Sequence, residues 1–160
     1  MSRRAAAPAI KRPNPHGNFP MQAIQDYFLK DRFAARNEIR LIEAGGGRAR
    51  ARMVVQPWHC NALGTVQGGA LFTLADFCFA AACNSHGTVA VAIEATITFM
   101  KAVSTGTLYA EAREIAKNFK LGSYAVEVRD EAGDLVAQFH GLAYRKKDPL
   151  PFHPPRLPTG

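Results

Sequence analysis

A chain of 160 residues, 48% of them hydrophobic, is long enough to bury one core of ordinary size, and nothing in it marks a second domain. Its net charge of +7 sits in the ends. Residues 1–20 hold four bases and no acid, residues 145–160 hold four bases and one acid, and the body between carries twelve of each, which is not the balance of a nucleic-acid reader.

No apolar run approaches the ~18 charge-free residues of a membrane span, and the N-terminus lacks the apolar stretch of a secretory leader. Cys60, Cys78 and Cys83 form no CxxC pair and imply no disulfide framework. A cytoplasmic protein with no nucleic-acid and no membrane partner is therefore expected.

Residues 1–18, with Pro8, Pro13 and Pro15 among basic and small side chains, read as a disordered basic arm. The domain is expected over 19–147. From Pro20, suited to a first helical turn, Ile24, Tyr27, Phe28, Leu29 and Phe33 recur at helical spacing and predict an amphipathic helix to about Ala35. Glu38 to Glu43 and Arg48 to Val55, separated by Gly45-Gly46-Gly47, read as two strands joined by a glycine turn.

The stretch from Trp58 to Asn84 is the most informative. Residues Ala70 to Cys83 are apolar on every side of a helical wheel, and the alanine-rich run is long enough for about four turns, so a helix buried all round is expected. Its one charge is Asp76. An ionised group out of water needs a partner or a shifted pKa, and function is the usual reason for accepting that. At about 100° per residue Gly69, Thr73, Ala80 and Cys83 fall within about 60° of Asp76, so the carboxylate shares its face with small residues only. That face leaves room for a ligand; the competing account is a small-residue packing seam with Asp76 bonded to a neighbouring backbone. Gly68-Gly69 opens the helix, where unpaired amide N–H groups and the helix dipole can hold an oxyanion.

Beyond Gly87, Val89 to Val103 is rich in β-branched residues and reads as a long strand. Tyr109–Ile115, Ser123–Arg129 and Leu135–Tyr144 follow as three more, separated by turn chemistry at 104–106, 120–122 and 131–134. The fold class expected is α+β, an antiparallel sheet of five to six strands wrapped around a long central helix. Residues 148–160 form a proline-rich tail. The five histidines show no metal-site spacing, so no metal is expected, and His59 is read as bonded to its own loop. Neither a GxSxG nor a GxxxxGK[ST] motif occurs. A helix apolar on all faces cannot be covered by one curled sheet, so a second copy is expected to cover it, with the Val89–Val103 strand pairing edge to edge with its own copy.

The pattern His59-x-Asn61, Gly64, Gly68-Gly69, Leu71-Phe72-x-Leu74-Ala75-Asp76 resembles the hotdog-fold acyl-CoA thioesterases of the PaaI-like, phenylacetate-pathway branch. Asp31-Arg32-Phe33-Ala34, Ala82-Cys83-Asn84 and Thr96-Ile97-Thr98-Phe99 extend the likeness over roughly residues 19–145. The resemblance implies hydrolysis of an acyl-CoA with an aromatic or medium-chain acyl group. Asp76 would be the catalytic carboxylate, acting as general base or nucleophile, with Gly68 as backbone donor to the thioester oxygen and Asn61 as polar positioner. Substrate contacts would come from Gln67, Gly69, Thr73 and Phe99, and coenzyme phosphates from Lys101, Lys120 and also Lys117. It implies no cofactor, since CoA is part of the substrate, and a dimer with shared active sites that pairs into a homotetramer. One departure stands out: the family usually has His before the glycine pair, and this chain has Gln67. That keeps open a non-catalytic acyl-CoA-binding protein, a sensor or scaffold; a hotdog dehydratase is the remaining alternative.

Overall fold

The computed structural model describes residues 21–151, so the expected basic arm and most of the expected proline-rich tail lie outside the described residues. Along the chain come α1 (Met21–Phe28), α2 (Arg32–Arg36), β1 (Ile39–Gly45), β2 (Arg48–Val54), α3 (Gly68–Asn84), β3 (Thr88–Phe99), β4 (Thr107–Lys117), β5 (Leu121–Arg129) and β6 (Leu135–Pro149). The six strands form one antiparallel sheet in the order β1-β2-β4-β5-β6-β3. This is the expected α+β architecture.

Strict alternation makes the sheet two-faced. In β2, Arg48, Arg50 and Arg52 are exposed while Ala49, Ala51 and Met53 are buried, and β5 alternates in the same way. The buried set of β2, β4, β5 and β6 faces α3, which touches all six strands. Aromatic side chains fill the middle of that interface, with Phe79 against Tyr124 at 5.5 Å and against Phe139 at 5.7 Å. Burying each such ring contributes about 1.5–3 kcal/mol, so the helix is held chiefly by its sheet-facing side.

Three expectations need correction. The single helix read from Pro20 to Ala35 is two, because Asp31 takes an extended conformation and accepts the Ala34 N–H at 2.9 Å, opening a second helix. The strand read as Val89–Val103 stops at Phe99, where the Met100 and Lys101 N–H groups both turn to the Val136 carbonyl at 2.8 and 3.2 Å. The last strand, in contrast, runs beyond Tyr144 to Pro149 and crosses the expected limit at residue 147; Leu150, buried, then ties to the Gly87 carbonyl at 3.0 Å.

The central helix is not covered all round in one chain. Leu71, Leu74, Ala75, Phe77, Cys78, Phe79, Ala81, Ala82 and Cys83 are buried, yet Gly69 is exposed and Thr73, Asp76 and Ala80 are half-buried. The uncovered stripe is the small-residue face that carries Asp76.

The two sheet edges also differ. Along β1 the Gln25 amide donates to the Leu41 and Ile42 carbonyls at 3.4 and 3.5 Å, and the Met21 sulfur accepts the Ala44 N–H at 3.3 Å, so α1 shields that edge. The β3 edge is bare. Val91 and Ile93 are 39% and 55% exposed, and the strand has neither the lysine nor the proline that normally guards an open edge.

Candidate active site

The start of α3 is set by its cap. Gln67 is extended (φ −66, ψ 138), its carbonyl accepts the Ala70 N–H at 2.9 Å, and its side-chain oxygen accepts the Gly69 N–H. Of the helix's first two amides, only the Gly68 N–H has no partner among the described residues. Both glycines are dictated by space. A Cβ at Gly68 would lie 2.9 Å from the tip of the Phe99 ring, and one at Gly69 would lie 2.6 Å from the Gln67 oxygen. The result is a bare donor at the positive end of a 17-residue helix.

Asp76 stands two turns further on. Among the described residues its carboxylate has neither hydrogen bond nor ion pair, so the packing-seam account with a backbone partner is not what the structure holds. Burial raises its pKa, and the charge of Asp31, the cap of α2, raises it further. Eight residues at about 1.5 Å each put Gly68 and Asp76 about 12 Å apart along the axis. Within one chain the donor and the carboxylate cannot act on the same carbonyl.

Near the helix start lies an open cleft of about 520 Å³, walled by Phe33, Trp58, Phe72, Gln67 and Thr73 among others. Phe33 and Trp58 are 67% and 61% exposed, large apolar surface with no cover in the chain. The sequence reading gave neither residue a role, nor Asp31; exposure of an aromatic side chain is a tertiary property that spacing does not reveal. A second depression of about 450 Å³, lined by Arg48, Arg50, Glu111 and Arg113, lies on the sheet's outer face, away from α3.

The remaining expected residues divide. Thr73 donates its hydroxyl to the Gly69 carbonyl at 2.8 Å and lines the cleft, and Phe99 packs over Gly68. Asn61 does not present a free amide: its oxygen accepts the Leu63 and Thr65 N–H groups at 2.9 and 3.2 Å and its nitrogen donates to the Thr65 hydroxyl at 3.0 Å. It holds the loop before α3 rather than a ligand. Lys101 is neutralised by Asp130 and Asp134 at 2.6 and 2.7 Å, and Lys117 lies 3.6 Å from Glu114. Lys120 is exposed and lies over the Phe119 ring at 5.6 Å. His59 is bonded to its own loop as expected, its Nδ1 accepting the Gln56 N–H at 3.1 Å. Cys78 and Cys83 are buried with thiols pushed up to about 12 by burial, which makes them inert packing.

Residues 63–137 match the model of the family described as the thioesterase superfamily. A putative esterase of Archaeoglobus fulgidus is 40% identical over 133 residues, 82% of this chain and 86% of that protein. Acyl-coenzyme A thioesterase PaaI of Escherichia coli is 37% identical over 108 residues, 67% of this chain and 77% of its own. The solved structure of the E. coli PaaI protein, from the phenylacetic acid degradation operon, superposes with a TM-score of 0.77 at 32% identity, covering 80% of this chain and 94% of that one.

Proposed function

This chain belongs to the hotdog thioesterase superfamily, and from that premise we propose that it hydrolyses acyl-CoA thioesters, with Asp76 as the catalytic carboxylate and the Gly68 N–H as the oxyanion donor. The observation that carries the reading is the pair of unsatisfied groups on α3: an unpartnered carboxylate of raised pKa and an unpartnered helix-terminal amide. Folded chains rarely leave such groups bare without a ligand to meet them.

The thioester carbonyl oxygen takes the Gly68 hydrogen bond, and the negative charge that builds there in the tetrahedral state is met by a donor already in place. Asp76 either draws a proton from the attacking water or attacks the carbonyl carbon itself to give an anhydride that water then opens. In both routes the C–S bond breaks, the thiolate of CoA leaves, and the acid is released. A carboxylate whose pKa is raised is a stronger base while ionised and can return its proton to the leaving sulfur.

The separation along the helix requires two copies. β3 runs back alongside α3, with Phe99 over Gly68 at one end and Ala90 bonded to Asn84 at the other. Antiparallel pairing of the bare β3 edge with its copy places one chain's Phe99 end beside the start of the other's β3, and so brings one chain's Gly68 toward the other chain's Asp76. The same pairing covers Val91, Ile93 and the open stripe of α3. Two such dimers form the tetramer, working in the cytoplasm. No described helix is long and apolar enough to cross a membrane. No cofactor takes part.

The aromatic cleft beside Gln67 and Thr73 suits an aromatic or medium apolar acyl group. Lys120 stays available for the coenzyme phosphates, whereas Lys101 is already committed to two carboxylates.

The test is thiol release from a panel of acyl-CoAs followed with a thiol-reactive dye. Release with an aryl or medium-chain acyl preference is expected. Binding of acyl-CoA with no release from any member would replace the enzyme with a binding protein. Light scattering is expected to give at least twice the 17.4 kDa of the chain; an active monomer would end the shared-site account.

A further inference from the structure

His59 is 2% exposed and none of the chemistry above uses it. Its surroundings form a continuous line of hydrogen bonds that ends at the α3 N-terminus. The line starts at Glu38, the only non-glycine residue with positive φ among the described residues (φ 55), whose carboxylate accepts the Gln56 side-chain amide at 3.1 Å. The Gln56 backbone N–H donates to His59 Nδ1 at 3.1 Å, the His59 carbonyl accepts the Gln67 N–H at 2.8 Å, and the Gln67 side chain takes the Gly69 N–H. Between His59 and Gln67 the loop is closed by a bridge from Cys60 to Val66 and knitted by Asn61, so movement at His59 passes to Gln67 rather than being absorbed on the way.

The contact with Gln56 fixes the tautomer. Nδ1 must be bare to accept, so Nε2 carries the proton, and Nε2 is buried without a partner in hydrogen-bond geometry. An apolar side chain would fill that space at less cost; what the site needs from a histidine is the acceptor at Nδ1.

We propose that His59 is the positioning residue of the oxyanion donor: as a neutral imidazole it anchors the line of bonds that engages Gly69 and leaves the Gly68 N–H free, and its protonation releases that anchor. The proposal rests on the thioester-hydrolase reading above. A proton added at Nδ1 meets the Gln56 N–H head on, so that bond breaks, the 3-10 turn Pro57–His59 loosens, and the carbonyl that holds Gln67 shifts with it.

Burial holds the His59 pKa below its ordinary 6.5, against the opposing charge of Glu38 and a weak pull from the Asn37 carbonyl; Glu38 is the one charged group that acts on the ring. A lowered value means that the neutral form stabilises the native state. That stability is present above the unfolded value and is lost as pH falls toward the folded one. Asp76, with its raised pKa, loses its reactive form by protonation on the same acid side, so activity there depends on two protons rather than one.

The experiment is an NMR pH titration of the full chain, wild type and His59→Asn, set beside the pH profile of kcat. Asparagine keeps an acceptor near the δ position and cannot be protonated. In wild type His59 is expected as the Nε2–H tautomer with a midpoint below 6.5, and the Gly68 and Gly69 amide signals shift with that same midpoint. In His59→Asn those amides stay still through this range, and the acid limb of log kcat drops from a slope of about two toward about one. Gly68 and Gly69 amides that ignore the His59 titration, or an unchanged slope in His59→Asn, would overturn the proposal. Should His59→Asn not fold, the wild-type amide titration decides alone. Should no acyl-CoA be turned over, the amide coupling still stands or falls without activity, which separates this proposal from the hydrolase reading.

Discussion

The two ends of α3 are built to opposite rules. At the C-terminal end every polar group has a partner: the Asn84 amide donates to the Ala80 and Ala90 carbonyls at 2.9 and 3.1 Å and accepts the Ala90 N–H at 2.9 Å. The Ser85 hydroxyl donates to the Ala82 carbonyl at 2.7 Å and accepts the Gly47 N–H at 2.9 Å. Beside it, the Glu114 carboxylate accepts from the Tyr124 hydroxyl at 2.8 Å and from the His86 ring. The Gly68–Asp76 half instead leaves an amide and a carboxylate bare. One helix thus anchors at one end and offers chemistry at the other, because groups already satisfied cannot also stabilise a transition state.

The largest effect expected from breaking that contrast is at Asp76. Asp76→Asn should lower kcat by about 10²–10⁴, the range for loss of a general acid or base, with the fold and assembly intact. It should also raise the melting temperature at neutral pH. A carboxylate of raised pKa favours the folded state only while protonated, and that contribution is lost as pH rises through the folded value, so the gain from Asn appears above that value and vanishes below it. Thermal melts of both proteins across pH 3–8 check the sign; a variant less stable at neutral pH would make Asp76 a structural group.

Next is Gly68. Gly68→Val places a side chain into the Phe99 ring and across the approach to the amide, and turnover should fall by about 10²–10³, the effect of losing an oxyanion donor. The double variant Gly68→Val with Phe99→Ala removes the clash and should recover stability without recovering turnover. If activity survives in either, the donor lies elsewhere on the helix terminus.

How much of this was legible in the sequence depends on whether the signal was local. Alternation in β2 and β5, the apolar run of α3 and the isolated Asp76 are periodic or compositional, and the strands, helix and open face follow from them. The break at Asp31 was not read, because five apolar residues at helical spacing outweigh a single cap residue in a periodicity argument. Asn61 and Lys101 were read as ligand contacts from residue type alone. Their partners Thr65, Asp130 and Asp134 show that each is already satisfied, and for Lys101 those partners lie 29 and 33 positions away. Gln67 was legible as a departure from the family pattern; that it caps Gly69 and spares Gly68 required the coordinates.

At the satisfied end the expected effects move from turnover to stability. Asn84→Ala strips partners from the buried Ala90 N–H and carbonyl, which should cost about 1–3 kcal/mol. At about 2–4 °C per kcal/mol for a chain of this size, differential scanning calorimetry will resolve it. Turnover per folded molecule should stay within a few-fold of wild type; a loss comparable to that of Asp76→Asn would erase the distinction between the two ends.

The smallest and most discriminating change is Glu114→Gln, which keeps the shape and alters only the charge. Burial alone would push the Glu114 pKa up, but the hydrogen bonds from Tyr124 and His86, with the charges of His86 and Lys117, outweigh it and the net shift is downward. A carboxylate of lowered pKa stabilises the folded state above its unfolded value, and that contribution is lost as pH falls through the folded value. Glu114→Gln should therefore melt slightly lower than wild type at neutral pH and converge with it in acid, the reverse of Asp76→Asn. Two carboxylates packed along the same helix then give stability differences of opposite sign at neutral pH, both closing in acid. If the Glu114→Gln difference instead grew as pH fell, the His86 and Tyr124 contacts would not be what holds that carboxylate, and the C-terminal end of α3 would have to be anchored by Asn84 and Ser85 alone.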